Sequence, residues 1–348
     1  MTRIFYPYTT GSDSPIPNLF ENIGKHVASD GYEITILSNR RNGILNHAGI
    51  RERYAGTPGS VLRRLRYLGA CLGRHDIIHT GGLAHYTISR ISHARNRSLR
   101  HLHTFRVDVD TPTFPTEQKR RLLEYTDRVS AVSKHTARTA EEAYDVDVEV
   151  IYNGVNTDVF HPNHTVTNGS LSGREEKPTF IFVGNFVERK RPKHVVEVAQ
   201  RVDDAQFLMF GDGPLFESVQ RSADGLDNVT LHGRVDKSEL PSVYANCTGL
   251  LFPSLREGCP NVVMEAMASG IPVVGYDATS MPELVTHEET GWLAAPDDID
   301  GLVDGVRFVM ERKADDFLHK TRGYIEENHR FDRIAEQYLQ LYDEMLTR

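Results

Sequence analysis

The stretch PSLREGCPNVVMEAMASG, residues Pro253–Gly270, followed by IPVVG, residues 271–275, decides the fold. It predicts a loop after a strand, then a helix that ends at the final glycine, then a second buried strand. Proline suits the first position of a helix, so we expect Pro260 there. The amides of Asn261 and Val262 would then be first-turn donors without intrahelical partners, an arrangement that binds phosphate at helix N-termini.

Two acidic residues flank this predicted helix start. Glu265 lies four residues after Asn261, hence on the same face, where a carboxylate can accept hydrogen bonds from two ribose hydroxyls. Glu257 precedes the helix and would face a sugar on the other side of the diphosphate. Taken singly, a glutamate before a helix is often a solvated cap and one within it a surface residue. Their combination favours a site in which two carboxylates bracket one nucleotide-sugar.

Short apolar runs alternate with stretches long enough for helices, a rhythm typical of βαβ units. In the first half of the chain these runs are Arg3–Tyr6, Glu33–Leu37, Asp76–His79, His101–Phe105, Arg128–Val132 and Val148–Tyr152. In the second half they are Thr179–Val183, Gln206–Phe210, Val229–His232, Gly249–Phe252, Pro272–Gly275 and Gly291–Ala294. We therefore predict an α/β chain with two Rossmann-like domains.

A polar segment separates the two halves. Residues 161–178, HPNHTVTNGSLSGREEKP, are rich in Asn, Thr, Ser and Gly and lack apolar periodicity, which indicates a linker. The predicted domains are residues 1–160 and 179–330, followed by a helix over residues 331–348. Apolar residues recur along that helix at helical spacing and can pack on either domain. They are Ile334, Tyr338, Leu341 and Met345.

Composition bounds the class of protein. The chain has 348 residues, 39% of them hydrophobic and 25% charged, which suffices for two ordinary domains. The net charge is −8, but residues 1–165 carry 21 Lys+Arg against 17 Asp+Glu, and the remainder carries 19 against 31. There is no C-x-x-C spacing, no apolar run of about 18 residues and no secretory pattern at the start. We expect a cytoplasmic protein whose mildly basic first half meets something anionic.

The two glutamates belong to a longer motif. P-S-x-x-E-G-x-P-N-V-x-x-E-A-M-A-x-G-x-P-V-V resembles the signature of the retaining GT-B glycosyltransferases, glycosyltransferase family 4. Further segments are similar to that family's motifs and occur in its order: IYNGVNTDVFHP (Ile151–Pro162), FVGNFVERKRP (Phe182–Pro192), FGDGPL (Phe210–Leu215), VTLHGRV (Val229–Val235) and MPELVTHEETGWL (Met281–Leu293). The first 150 residues match more loosely.

The resemblance implies a fold and an activity. The fold would be GT-B, with two Rossmann-like domains facing across a cleft and the C-terminal helix crossing back to the first domain. The activity would be transfer of a hexosyl group from a nucleoside-diphosphate sugar to an acceptor with retention of anomeric configuration.

The resemblance also implies roles for individual residues. Glu265 would bind the ribose hydroxyls and Glu257 the donor sugar. Lys190 would pair with the diphosphate and stabilise the charge that develops as the glycosidic bond breaks, although a lysine in a run such as RKRPK is ordinarily solvated. The other positions implied to bind the donor are Gly184, Arg189, Gly233, Arg234, Val235, Cys259, Asn261 and Val262. The first glycine would let backbone approach the phosphates, and residues 233–235 would lie beside the base.

The sequence departs from the family pattern at three places. The arginine that often follows the strand glycine is Asn185 here, and Arg189 is expected to replace it. In the first domain the family has a histidine near the reacting sugar, and in HLHTFRVDVD that catalytic position falls on either His103 or Arg106. Of these only the histidine can act as a base. The family's Gly-Gly loop is reduced to TTGSDSPIPN, with Gly11 as its remnant, so acceptor binding is the least defined function.

The resemblance points to a mechanism without a covalent intermediate. In retaining glycosidases one of two carboxylates attacks the sugar. Here Glu265 is implied to lie at the ribose, so retention would follow a front-face route in which the leaving phosphate helps to deprotonate the acceptor. The D-x-D spelling of Asp108 and Asp110 lies in the acceptor domain and is more typical of loop caps. We expect no cofactor and no essential metal.

Other functions compete with the transferase interpretation. Arg106 and Asn185 favour a nucleotide-sugar-binding module on the same fold with little or no turnover. The two-glutamate motif argues against a sugar-nucleotide epimerase, and the lack of a cofactor-lysine motif against a phosphorylase. A dinucleotide oxidoreductase would need G-x-G-x-x-G after the first strand, where this sequence has none. The sequence leaves the donor, the acceptor and the linkage open.

One segment of the first half suggests membrane contact. Ser60–Arg74, SVLRRLRYLGACLGR, predicts a helix with an apolar face and an arginine-rich remainder, which can lie on an anionic bilayer. The apolar residues are Val61, Leu65, Leu68 and Leu72, and the arginines are Arg63, Arg64, Arg66 and Arg74. The alternative is a Rossmann helix that buries its leucines on the sheet. We hypothesise a glycan or lipid-linked acceptor reached at the inner face of the membrane, and no nucleic-acid partner.

Overall fold

The computed structural model describes residues 2–10, 26–27, 31–38, 49–54, 65–66, 69–70, 73–81, 98–107, 116–163 and 177–347. The chain divides into two compact units, Met1–Gly154 with Phe331–Arg348, and Val155–Arg330. Most of the predicted linker (residues 161–178) and most of the predicted membrane helix (Ser60–Arg74) lie outside the described residues. So do Gly11, Asp108 and Asp110.

The first unit contains a seven-stranded parallel sheet in the order β3-β2-β1-β4-β5-β6-β7. Its strands are β1 (Arg3–Thr10), β2 (Glu33–Ser38), β3 (Ile50–Tyr54), β4 (Ile77–Thr80), β5 (Arg100–Phe105), β6 (Arg128–Ala131) and β7 (Val148–Val150). Six of them overlap the predicted apolar runs. Strand β3 was not predicted, because its residues IRERY form no apolar run and alternate between partly buried and exposed at the sheet edge.

Three helices are described in the first unit: α1 (Thr116–Leu123), α2 (Lys134–Tyr144) and α10 (Phe331–Thr347). The last of these is the predicted C-terminal helix. Its residues Ile334, Tyr338, Leu341 and Met345 are buried in a cluster with Ile4 and other residues of the first strands. Each large apolar side chain buried in this way contributes about 1.5–3 kcal/mol. The helix therefore completes the core of the first unit, as the predicted crossing back requires.

The second unit contains a six-stranded parallel sheet in the order β10-β9-β8-β11-β12-β13. The strands are β8 (Thr179–Val183), β9 (Gln206–Phe210), β10 (Val229–Gly233), β11 (Gly249–Phe252), β12 (Val273–Tyr276) and β13 (Gly291–Ala294). All six were predicted, with ends within one residue. Numbered from β8, their order is 3-2-1-4-5-6, which is that of the Rossmann fold.

Five of the described helices of the second unit connect these strands, and two follow β13. They are α3 (Pro192–Ala199), α4 (Phe216–Ser222), α5 (Leu240–Tyr244), α6 (Asn261–Ala268), α7 (Met281–Leu284), α8 (Ile299–Met310) and α9 (Ala314–Asn328), with a 3-10 turn at Glu188–Lys190. In a doubly wound sheet, ligands bind at the carboxyl ends of the strands where the order reverses. In this unit the order reverses between β8 and β11, so a ligand is expected to bind at the loops that follow these two strands.

Within the described part of the chain, none of the helices is both long and apolar enough to cross a membrane.

Candidate functional site

The loops after β8 and β11 are joined at the reversal point of the second sheet. The amide of Leu255, in the loop after β11, donates to the carbonyl of Arg189 over 2.8 Å. This bond brings the basic run after β8 next to the stretch that precedes α6. The neighbouring backbone of Glu257 is fixed as well, since its amide donates to Thr279 Oγ1 (3.0 Å) and its carbonyl accepts from Ser280 Oγ (3.1 Å).

Lys190 and Glu257 form a buried ion pair at this point. Lys190 Nζ lies 2.9 Å from Glu257 Oε1, and the side chains are only 10% and 12% exposed. Arg189 Nη1 donates to the same oxygen over 2.7 Å and to the carbonyl of Arg256 over 2.8 Å. The Lys190 ammonium also lies 4.4 Å from the centre of the Phe252 ring, in cation–π range. The lysine is thus not the solvated side chain that its basic surroundings would ordinarily produce.

Burial and charge act in opposite directions on this pair. Burial lowers the pKa of Lys190, and the neighbouring Glu257 carboxylate opposes that shift without cancelling it. Burial would raise the pKa of Glu257, but the charges of Lys190 and Arg189, with hydrogen bonds from Ser254 and Lys190, hold that pKa below its usual value. The lowered pKa keeps Glu257 ionised at neutral pH, so its carboxylate lies between two basic side chains.

Glycines allow this loop cluster to pack closely. A β-carbon on Gly184 would lie 3.0 Å from Lys190 Cδ, so the glycine gives the lysine stem its place. Gly211 (φ 137°) and Gly213 (φ 156°) adopt backbone conformations that favour glycine. A β-carbon on Gly211 would come within 1.8 Å of the Gly184 carbonyl oxygen. The G-D-G-P segment therefore shapes the turn that supports Gly184.

Helix α6 begins one residue later than predicted. Pro260 is the N-cap, with extended backbone at φ −75° and ψ 112°, and Asn261 is the first helical residue. The correction has a simple reason, since the proline carbonyl already accepts from the Val263 amide over 3.1 Å and so closes the first turn. The predicted amide donors stay in the first turn, with Val262 partly buried and Cys259 buried just before the cap.

Glu265 lies on the second turn of α6, partly buried. The hydroxyl of Tyr244, at the end of α5, is 3.5 Å from Glu265 Oε2. Burial raises the pKa of Glu265 to about 7, while the charge of Lys237 and the Tyr244 contact oppose the rise. Glu265 and Glu257 share no hydrogen-bond partner among the described residues. That these two carboxylates bracket one nucleotide-sugar stays a prediction.

The predicted base-side residues follow β10. Gly233 has φ 70° and its carbonyl accepts from the Gly211 amide over 2.7 Å, which ties this turn to the one beside Gly184. Arg234 is exposed, with Nε 3.7 Å from Asp212 Oδ2, and Val235 is partly buried. These residues lie at the same edge of the sheet as Lys190, because parallel strands end on one side.

His103 and Arg106 lie in the first unit, on β5 and just after it. His103 is 4% exposed, and Arg106 is partly buried. His103 Nδ1 is 2.9 Å from Thr80 Oγ1, and that oxygen is 2.7 Å from His101 Nε2. His101 Nδ1 is 3.0 Å from the carbonyl oxygen of Tyr125.

These contacts assign the protons of the two imidazoles. A carbonyl oxygen only accepts, so His101 Nδ1 donates to Tyr125, and in the neutral ring its Nε2 accepts from the Thr80 hydroxyl. The Thr80 oxygen then accepts from His103 Nδ1. With His103 neutral, its Nε2 bears a lone pair, the form that a general base needs.

Sequence reasoning missed the residues that hold the predicted ones in place. Ser254 donates to Glu257 Oε1 over 2.7 Å, Tyr244 contacts Glu265, and Thr80 links two histidines. Ser254 stood in the quoted motif, next to the strand end, and could have been singled out. The other two gave no signal, since their contacts join segments far apart in the chain.

Comparison with solved structures defines the fold. Sucrose-phosphate synthase from Thermosynechococcus elongatus has the same fold, with a TM-score of 0.84 over 100% of both chains at 19% identity. The fold is GT-B, that of glycosyltransferases built from two Rossmann-like domains.

Sequence comparison then gives the family. Residues 18–159 match the model described as Glycosyltransferase Family 4, and residues 168–336 the model described as Glycosyl transferases group 1. The chain belongs to this family of glycosyltransferases, as the motifs indicated.

Two curated relatives illustrate the similarity. N-acetyl-alpha-D-glucosaminyl L-malate synthase of Bacillus anthracis is 28% identical over 64% of this chain and 61% of its own. A GDP-mannose-dependent alpha-(1-6)-phosphatidylinositol monomannoside mannosyltransferase of Mycobacterium tuberculosis is 30% identical over 54% of this chain and 53% of its own. The matches thus span between half and two thirds of these relatives.

Proposed function

We propose that this protein transfers a hexosyl group from a nucleoside-diphosphate sugar to an acceptor, with retention of anomeric configuration. One observation carries the proposal: the Lys190–Glu257 ion pair at the reversal point of the second sheet. The two basic side chains suit a diphosphate, and the carboxylate between them suits sugar hydroxyls. The GT-B fold and the family support this choice over the other ligands of Rossmann sheets.

The donor would be held by groups with distinct tasks. Lys190 and Arg189 would meet the diphosphate together with the amides that begin α6, and Glu265 would accept from the ribose hydroxyls. As the glycosidic bond breaks, negative charge grows on the leaving diphosphate, and these cations stabilise it. Glu257 pairs with both basic side chains, but its single charge cannot neutralise two, so donor binding would replace part of that pairing with phosphate oxygens.

Retention and metal independence follow as finer parts of the proposal. Because Glu265 is assigned to the ribose, retention would use a front-face route in which the leaving phosphate takes the acceptor proton. The charge on that phosphate is met by Lys190, Arg189 and helix-end amides, so no metal or other cofactor is needed in this scheme.

For the acceptor we propose a lipid-linked or growing glycan reached from the cytoplasmic side of a membrane. The basic first half and Ser60–Arg74 support it, as does the exposure of Leu65, which is 59% exposed beside Arg66. Liposome co-sedimentation tests this, comparing the parent with a variant in which Arg63, Arg64 and Arg66 are Ser. About 1 kcal/mol per arginine predicts binding to anionic vesicles weakened roughly a hundredfold or more. Equal sedimentation of both proteins would favour a soluble acceptor.

The decisive test of the function is a nucleotide-sugar panel. UDP-glucose, UDP-N-acetylglucosamine and GDP-mannose would be screened for thermal stabilisation, since a ligand at a hundred times its Kd adds about 2.7 kcal/mol. Lys190→Ala and Glu265→Gln should each depress turnover of the preferred donor strongly while the fold persists. Parental rates in both variants would remove this assignment. Binding without transfer to any acceptor, and without donor hydrolysis, would instead favour the nucleotide-sugar-binding module.

A further inference from the structure

Ser254 is the most constrained of the donors to Glu257. It lies two residues after Phe252, the last residue of β11, and its side chain is fully buried. The hydroxyl lies 2.7 Å from Glu257 Oε1 and 3.4 Å from the carbonyl oxygen of Arg189. A hydroxyl has one proton to donate, and the ionised carboxylate is both the nearer and the stronger acceptor.

The three donors to Glu257 differ in how firmly they are held. Arg189 Nη1, Lys190 Nζ and Ser254 Oγ all donate to Oε1, and in the described part of the chain no side chain donates to Oε2. Arg189 is 45% exposed, and both basic side chains are long. Ser254 has one rotatable bond in the core, so it keeps its position when the others move.

Binding of the nucleotide-sugar would act differently on the firmly held Ser254 and on the two basic side chains. Phosphate oxygens would attract both Lys190 and Arg189, which weakens their hold on Glu257. The backbone of Glu257 would stay fixed by Thr279 and Ser280, leaving only its side chain free to turn. With the nucleotide-sugar bound, the Ser254 hydroxyl is the hydrogen-bond donor that still holds Oε1 of Glu257.

We propose that Ser254 is a positioning residue, whose hydroxyl fixes Oε1 of Glu257 so that Oε2 faces the hydroxyls of the donor sugar. This inference rests on the proposed function. Ser254 would affect the position of the donor sugar and not the binding of the nucleotide, because it contacts neither the helix-end amides nor Glu265.

The test compares Ser254→Ala with Ser269→Ala. Ser269 is also buried, and its hydroxyl donates to the carbonyl oxygen of Glu265 over 2.9 Å, so it controls for loss of a buried hydroxyl. Two quantities are measured: kcat/KM for the preferred donor among the three nucleotide-sugars, by donor hydrolysis, and the Kd of UDP and GDP. Losing a hydrogen bond to a charged group should lower kcat/KM about tenfold or more in Ser254→Ala. The Kd of UDP and GDP should not change.

A double-mutant cycle with Glu257→Gln separates positioning from simple packing. The effect of Ser254→Ala should shrink in the Glu257→Gln background, because the carboxylate that it positions is gone. If Ser254→Ala does not fold, Ser254→Cys keeps the side-chain volume and has a weaker hydrogen-bond donor. It should also lower kcat/KM without changing the Kd of UDP and GDP. A parent that neither binds nor turns over any of the nucleotide-sugars contradicts the proposed function. An active parent in which Ser254→Ala and Ser269→Ala behave alike, or in which the cycle is additive, overturns the role of Ser254 alone.

Discussion

Gly184 and Lys190 are in direct contact: a β-carbon added to the glycine would lie 3.0 Å from Cδ and 3.4 Å from Nζ of the lysine. The backbone of Gly184 does not require glycine, since its φ is not positive, so the side chain of the lysine sets the restriction. The close contact places the ammonium against Phe252 and Glu257.

We expect Gly184→Ala to push the Lys190 side chain aside and to weaken binding of UDP and GDP. Gly323→Ala is the matched control, because a β-carbon there meets nothing within 4 Å and alanine favours a helix interior by up to about 1 kcal/mol. Calorimetric Kd values and melting temperatures of both variants check this. Unchanged Kd in Gly184→Ala would show that the lysine does not need its present position.

Glu265 predicts a pH dependence of nucleotide binding. Its pKa is raised to about 7 by burial, and only the ionised form accepts from two ribose hydroxyls. Affinity for UDP or GDP should therefore rise with pH up to about 7 and level off above it, with about a tenfold loss one unit below. Binding measured between pH 5.5 and 8.5 checks this, and Glu265→Gln should give weaker binding without that slope.

The same pKa predicts an effect on stability. The folded-state pKa lies above the ordinary value, so the protonated carboxyl stabilises the fold at low pH, and this contribution is lost as pH rises through about 7. Glu265→Gln should therefore gain stability relative to the parent as pH rises from 5 to 8. Urea denaturation at several pH values measures it, and parallel curves would contradict the shift.

Chelation should leave activity intact. In the proposed scheme the leaving diphosphate is neutralised by Lys190, Arg189 and the amides at the start of α6, so EDTA should not reduce the rate of donor turnover. The described residues contain no group of three or more His, Cys, Asp or Glu that could hold a metal ion. Loss of activity in EDTA, restored by magnesium or manganese, would require a metal in the mechanism.

Thr80 is expected to fix the tautomer of His103. Selective labelling of histidine with nitrogen-15 should show His103 protonated at Nδ1 in the parent at neutral pH. In Thr80→Val, His103 Nδ1 loses the hydroxyl oxygen to which it donates. The ring should then populate both tautomers, and the protein should lose about 1–3 kcal/mol of stability. A parent spectrum with the proton on Nε2 would disprove the assignment.

The sequence was most informative where local pattern and local structure coincide. The strands of the second unit are short continuous apolar runs bounded by turns, and their ends were predicted within one residue. Strand β3 was missed because three consecutive charged residues, Arg51, Glu52 and Arg53, form its centre, so it has no continuous apolar run. Its pairing with β2 decides that it is a strand, and pairing depends on residues elsewhere in the chain.

The candidate site was predictable as a set of residues but not as a set of contacts. The family motifs named Lys190 and Glu257, yet implied separate ligands for them, whereas the structure places them 2.9 Å apart. That distance results from the parallel pairing of β8 with β11, which brings together loops 67 residues apart in the chain. The contact of Tyr244 with Glu265 likewise joins separate helices, whereas Ser254 is only three residues from Glu257 and stood within the quoted motif.

Helix α10 has a consequence for how the protein is made. The core of the first unit needs Ile334, Tyr338 and Leu341 to cover its first strands, but these residues follow the whole second unit in the chain. A ribosome adding about 5–20 residues per second leaves Ile4 and its neighbours without this cover for roughly 10–35 seconds while residues 155–330 are synthesised. The second unit, a continuous segment, can fold in that interval. The domain that is translated first is therefore the one completed last, and its exposed strands are where a chaperone would be needed.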